Sequence, residues 1–298
     1  MASSNHSAHG GRSKGWQYAV LVCRLGAILI VDFIYRRKRP EVDQSIAEVW
    51  QVLRESWVFR HETFEPFLSA FSFSLFISFW GVLDFFVPSA SKYRSNLSDD
   101  LSAWFGGTRI KDQFLWYIVP LVSLDILFPR RALPEAAPSL VRLTAEVVSA
   151  IAVYDAAFFA WHATIHQIPW LYNSIHSKHH RCYVQRAPEA VQHSFVDGTM
   201  DVLCSIFALN VLGCHPLSRA VYDVVIIGLL TELHAGYDFP WQLHNLLPCG
   251  IIGGPPRHER HHRQGNVYMQ KFGTFFDALF GFVPKQSTDS DRRVVCSE

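Results

Sequence analysis

The sequence predicts an all-α fold of membrane-embedded helical hairpins, capped by a histidine-rich helical region. Three observations lead there. First, apolar residues make up 49% of the 298 positions and charged residues only 18%, with 23 Phe and nine Trp; a soluble domain averages about 25% charged residues. Second, the apolar runs are long, and none alternates with the period of two that a half-buried strand requires. Third, twelve of the fifteen histidines fall between His162 and His262. This composition excludes a disordered or collagen-like chain. A net charge of +1 supplies no field to steer the protein to nucleic acid, so no nucleic-acid partner is expected.

Taken in order, residues 1–15 are polar and Ser/Gly/His-rich and read as a mobile tail without a signal-peptide pattern. Residues 16–138 form a region of membrane or interfacial helices and loops. Within it, 16–35 is apolar but carries Arg24 and Asp32 and is followed by Arg36 to Arg39. A spanning helix and an interfacial helix are both open there. Residues 45–62 show helical periodicity with mixed charge and read as a surface helix. Residues 66–88 give about 20 apolar positions, enough at 1.5 Å rise for a hydrocarbon core of about 30 Å. Residues 89–113 are polar, with a Gly106-Gly107 turn. Residues 114–128 are apolar but short for a span, and Arg130, Arg131, Pro134 and Pro138 mark the next turn. The third region, 139–284, carries the histidines. Its run 139–161 leads straight into His162, and 202–213 with 217–233 make a weaker apolar hairpin broken at His215-Pro216. Residues 285–298 are a polar tail, and 16–284 read as one connected unit. The six cysteines (Cys23, Cys182, Cys204, Cys214, Cys249 and Cys296) are scattered without a C-x-x-C pair, so scattered reduced thiols are expected rather than a zinc ribbon.

The histidines form three clusters. His162 and His166 are H-x3-H; His176, His179 and His180 are H-x2-H-H; His258, His261 and His262 repeat that pattern. On a helix, positions three and four apart share a face, so each cluster can aim its imidazoles at one pocket. Eight imidazoles gathered in one place repel one another if protonated and leave nitrogens unpaired if neutral and buried. Metal ions resolve both problems, because neutral imidazole is their common ligand. Eight ligands exceed one coordination sphere, so two adjacent metals are expected; iron, manganese and zinc all accept such a set. The acids among them are Asp155, Glu189, Asp197, Glu232, Asp238 and Glu259; only Glu259 and His262 have the Glu-x-x-His spacing, so the two such pairs of a ferritin-like cage do not occur.

Simpler roles suit the remaining histidines. His6 and His9 sit in the polar tail, His215 precedes Pro216 at a helix end, and a structural role is favoured for His244. Gly253-Gly254-Pro255-Pro256 reads as a tight turn feeding His258, not a phosphate loop, because no Lys-Ser/Thr follows. Glu259 reads as a solvated charge rather than a group bonded to a ligand.

At these residues the chain resembles the fatty acid hydroxylase / sterol desaturase superfamily of membrane histidine-box oxidases. The resemblance runs from about Asp155 to Gly281. It includes Asp155–His166, Leu171-Tyr172 ahead of His176, and His193-Ser194 with Asp197-Gly198, as in the sterol C5-desaturase branch but with Ser194 in place of Pro. It also includes His234 with Gly236-Tyr237-Asp238-Phe239-Pro240, as in the methylsterol oxidase and cholesterol 25-hydroxylase branches, and the closing Asn266, Phe272-Gly273 and Asp277–Gly281. Ala163 departs from the family's usual basic residue after the first histidine.

The resemblance implies metal ligation and catalysis by His162, His166, His176, His179, His180, His258, His261 and His262. It adds His234, and His193 as a further candidate. It further implies two ferrous ions, O2, and electrons from cytochrome b5 and an NAD(P)H reductase, since no flavin or nicotinamide motif is present. The expected reaction hydroxylates or desaturates an unactivated C–H bond of a lipid. A sterol or terpenoid substrate is favoured slightly over a fatty acyl or sphingoid chain or a specialised metabolite. The implied location is the endoplasmic reticulum membrane, multi-pass, with the metal site on the cytosolic side. The rival outside enzymology is a membrane metal-binding or transport protein.

Overall fold

The computed structural model describes residues 14–95, 104, 107–127, 133–181 and 185–284. The two tails beyond these, with His6, His9 and Cys296, lie outside the described residues, as do Gly106, Arg130, Arg131 and Cys182. The chain divides into two compact units, 1–42 and 43–298. Helix α1 covers Lys14–Glu55 and α2 covers Trp57–Arg60. The basic run and Pro40 lie inside α1. Pro40 costs one backbone hydrogen bond, but exposed Arg36 to Arg39 are good helix formers and the helix continues. The expected surface helix over 45–62 is corrected twice. It breaks at Ser56, and Trp50 and Phe59 are buried, packed with Leu217 and edge-on to each other at 5.6 Å.

The rest of the second unit is a helical bundle: α3 (Phe64–Phe86), α4 (Gly107–Leu127), α5 (Leu140–Gln167), α6 (Phe195–Val211) and α7 (Pro216–His234). After a single turn at Leu243–Leu246 come two shorter helices, α8 (Pro255–Gln264) and α9 (Phe275–Phe280). No strand occurs among the described residues; only isolated bridges join Arg94 to Tyr237 and Ile252 to Gly273. The core is apolar and aromatic, built from Phe73, Tyr117, Val147, Tyr154, Phe158, Val202, Ile226 and Leu230. Helices α3 and α7 run in the same direction. Glu65 pairs with Arg219 at 2.8 Å, Ser69 donates to Asp223, and Phe76 sits over Gly228, where an added Cβ would come within 3.1 Å of its ring.

α3 and α5 are long and apolar enough to cross a membrane. α3 leaves Phe67, Phe71, Leu75, Phe79, Val82 and Phe86 exposed, spaced as a single helical stripe. α6 does likewise with Phe195, Leu203, Phe207 and Val211. Ser139 caps α5 by accepting from the Arg142 amide. His215 caps α7, accepting from the Leu217 amide at 3.1 Å while its ring lies edge-on to Trp50. The C-terminal ends of α3, α5 and α7 meet at one end of the bundle, and the histidines gather there.

Candidate metal centre

Nine histidines converge into two groups. His162, His166, His176, His180 and His261 form one; His179, His234, His258 and His262 form the other. Within each group the ligand atoms lie within 4.8 Å of one another. α5 supplies His162 and His166 one turn apart, as the spacing required. α7 ends on His234. α8 opens with Pro255 at its first position after Gly254 and carries His258, His261 and His262.

The clusters do not map one to one onto the pockets. His176 sits in a π-helical turn, Tyr172–His176, and His179-His180 in a 3₁₀ turn. His180 therefore joins His176, while His179 points into the other group. α8 is divided the same way, with His261 on one side and His258 with His262 on the other. The two groups are in direct contact: the His180 and His262 rings stack at 4.5 Å.

Six of the nine imidazoles have an acceptor on Nδ1. His162 donates to Met269 O at 2.7 Å, His261 to Val267 O at 2.7 Å and His234 to Leu230 O at 2.8 Å. His179 donates to Gln192 O at 3.1 Å and His180 to His262 O at 3.3 Å. His176 donates to the Asp197 carboxylate at 2.6 Å. A proton held on Nδ1 leaves Nε2 as a bare lone pair. Nε2 atoms of both groups face one another: His162 to His176 at 3.0 Å, His180 to His176 at 3.2 Å, His258 to His234 and to His262 at 3.0 Å. His166 Nε2 and His261 Nε2 have no hydrogen bond at all. Lone pairs converging in a dry site are unfavourable by themselves and are what a cation requires. Two nitrogens each at about 2.1 Å from one ion and at right angles are roughly 3.0 Å apart, which is the spacing found. The residues fit metal ions.

Burial, and then the neighbouring histidines, push His179, His258, His261 and His262 well below the ordinary imidazole range. Burial, then His176, pushes His180 down to about 3. These five imidazoles are thus held neutral, the form that binds metal.

A further set of contacts fixes these histidines. Buried Asp155 on α5 accepts from the Gln270 side chain and from the Phe272 and Gly273 amides at 2.7–2.9 Å, pinning the segment whose Met269 carbonyl holds His162. Asp277 accepts from the Gln270 amide and from Arg257, both at 3.0 Å. Glu259, which the sequence pattern assigns to solvent, is instead buried between Ser95, whose hydroxyl donates at 2.5 Å, and Arg263. The third cluster's helix presents it inward against a segment far away in the chain. His193, a candidate ligand, lies in neither group. Its nitrogens face Ala190 O at 3.0 Å and Asp197 at 3.4 Å, and its ring stacks on His179 at 4.6 Å. His244 touches Asp238 at 2.9 Å and occupies the space beside Gly254. Sequence patterns do not reveal a buried network below the ligands: Lys271 Nζ donates to Tyr154 at 2.8 Å and lies 3.3 Å from Asp201.

The fatty acid hydroxylase family model matches residues 147–282. Mouse cholesterol 25-hydroxylase is 35% identical over 169 residues, 57% of this chain and 57% of its own length. Human cholesterol 25-hydroxylase is 30% identical over 248 residues, 78% of this chain and 88% of its own. The chain belongs to the fatty acid hydroxylase family. A cholesterol 25-hydroxylase-like protein 2 of zebrafish (Danio rerio) is 30% identical over 258 residues, 80% of this chain and 89% of its own. The matches to the mouse and rat hydroxylases span little more than half of those proteins. No solved structure matches significantly. The matched region of this fatty acid hydroxylase family member includes all nine clustered histidines and the segment that holds them.

Proposed function

We propose that this protein is a membrane-embedded, O2-dependent lipid hydroxylase whose nine clustered histidines hold two iron ions. The observation that carries this reading is the pair of touching five- and four-histidine groups with converging Nε2 lone pairs. Iron bound there supplies activation of O2 and oxidation of an unactivated C–H bond, using two electrons from an external carrier of the cytochrome b5 and NAD(P)H-reductase type.

The chain's own residues do the rest. Backbone carbonyls of Met269, Gln192, Leu230, His262 and Val267 orient the rings and keep each Nδ1 protonated. Asp197 holds His176 with a charge-assisted bond, the stronger kind. Burial excludes water from eight of the nine ligands. The exposed apolar stripes on α3 and α6 suit contact with lipid, and a lipid substrate would approach from the same medium. The relatives named cholesterol 25-hydroxylase favour a sterol-like substrate. The family model's description keeps a fatty acyl chain as the second reading. The location proposed is the endoplasmic reticulum membrane, with the site facing the cytosol.

One experiment tests this. The protein is purified in detergent, its iron per chain is counted, and it is given O2, reduced cytochrome b5 and a mixed sterol and fatty acid pool. Two irons and a product gaining one oxygen or losing two hydrogens are expected. A folded protein that binds no metal in stoichiometric amount refutes the site, and bound metal without product refutes the activity.

A further inference from the structure

The two histidine groups differ in how they meet solvent. All four members of the smaller group are buried, whereas in the larger group His166 alone is only half-buried. The aromatic ring outside the histidines that contacts this half-buried member is Tyr172. Its ring centroid stands 5.2 Å from His166, 5.7 Å from His180 and 6.2 Å from His176. No other ring outside the histidines contacts three members of the group among the described residues. Tyr172 is itself half-buried. Its placement comes from the π-helical turn it opens, closed by the Ser177 amide donating to Tyr172 O at 2.8 Å. Such turns are rare and concentrate at functional sites.

We propose that Tyr172 gates the five-histidine position: ions and water exchange there through the side its ring covers, while the four-histidine position stays sealed. The inference rests on the reading that both groups hold metal. A ligand leaves an ion readily only where solvent can take its place, and the four-histidine group presents no exposed member. Truncating Tyr172 to Ala uncovers three ligands at once and admits water beside His166 and His180. Tyr172→Phe keeps the ring and therefore the cover. Tyr172 is thus a positioning residue, acting through the ligands it covers.

The test uses the full chain in detergent, loaded with zinc, which binds imidazole and has no redox chemistry. Release to excess chelator is followed in time. The wild type is expected to release its ions in two phases, the faster from the five-histidine group; H261A, lacking a ligand of that group, identifies the phase. Tyr172→Ala is expected to speed the faster phase by about tenfold or more, the scale of effects from groups around metal ligands, and to leave the slower phase unchanged. Tyr172→Phe should match the wild type. An unchanged faster phase in Tyr172→Ala overturns the gate. Equal acceleration of both phases also overturns it, because general loosening of the fold does that. A wild type that binds fewer than two zinc ions refutes the two-metal reading itself, and the gate with it.

Discussion

Asp197→Asn isolates the support that a carboxylate gives to one ligand. Asp197 is buried and receives His176 Nδ1 at 2.6 Å and Trp161 Nε1 at 3.3 Å, with His193 Nδ1 3.4 Å away. Asn keeps one acceptor oxygen and turns an NH2 toward the remaining donors. If its oxygen stays on His176, the NH2 meets the Trp161 N–H, and a buried donor left unpaired costs about 1–3 kcal/mol. If it flips, the NH2 meets His176 Nδ1 and favours the tautomer whose proton sits on Nε2, which cannot ligate. Either way the five-histidine position weakens. Groups that hold metal-ligating histidines are worth about 10–100-fold in affinity, or about 1.4–2.7 kcal/mol. No four-histidine member bonds to Asp197; His179 feels the change indirectly, through His193 stacked on it at 4.6 Å and His176 beside it at 5.2 Å, so the affinity of that position falls far less. Competition titration of metal-free protein with zinc against a chelator reads both positions, and a thermal melt shows that the variant folds. Unchanged affinity at the five-histidine position in a folded variant, or equal loss at both positions, refutes this account.

Further predictions concern the ligands, the turn before α8, and acid. His179→Ala and His261→Ala should each abolish turnover and remove one ion, from the four- and five-histidine groups respectively, with membrane insertion intact; metal counts on the two variants check this. An added Cβ at Gly254 would lie 2.1 Å from His244 Nδ1. Gly254→Ala should therefore destabilise the protein by about 1–3 kcal/mol, and His244→Ala on top should restore most of it, as read by a double-mutant cycle in thermal unfolding. Metal-free protein should lose stability as pH falls below about 6.5, the imidazole value of the unfolded chain, because the unfolded chain takes up protons that the folded imidazoles refuse. His180, held at about 3 in the fold, alone accounts for about 2 kcal/mol lost by pH 5. Melts of chelator-treated protein between pH 7 and 5 test this, and a flat profile contradicts neutral burial of the cluster.

Much of the fold and of the candidate metal centre is legible in the sequence because it is local. The apolar run ending in His162-x3-His166 becomes one helix with both rings on one face, since 3.6 residues per turn fixes that within any helix. Pro255 after Gly254 starts α8 where the turn chemistry places it. The excess of imidazoles over local acids makes metal the economical partner on composition and spacing alone. Membership of the two groups is not legible in the same way. His179 and His180 are neighbours in the chain and belong to different groups; His261 leaves its own cluster for that of His162. Glu259 is buried because Ser95 meets it, and Trp50 because His215 and Leu217 do. His193 faces Asp197 and Ala190 rather than the lone pairs. The physical reason is common to all these cases. Helical periodicity determines which side chains share a face of one element, but which faces meet depends on how α5, α6, α7 and α8 pack, and that is set by contacts between residues far apart in the chain.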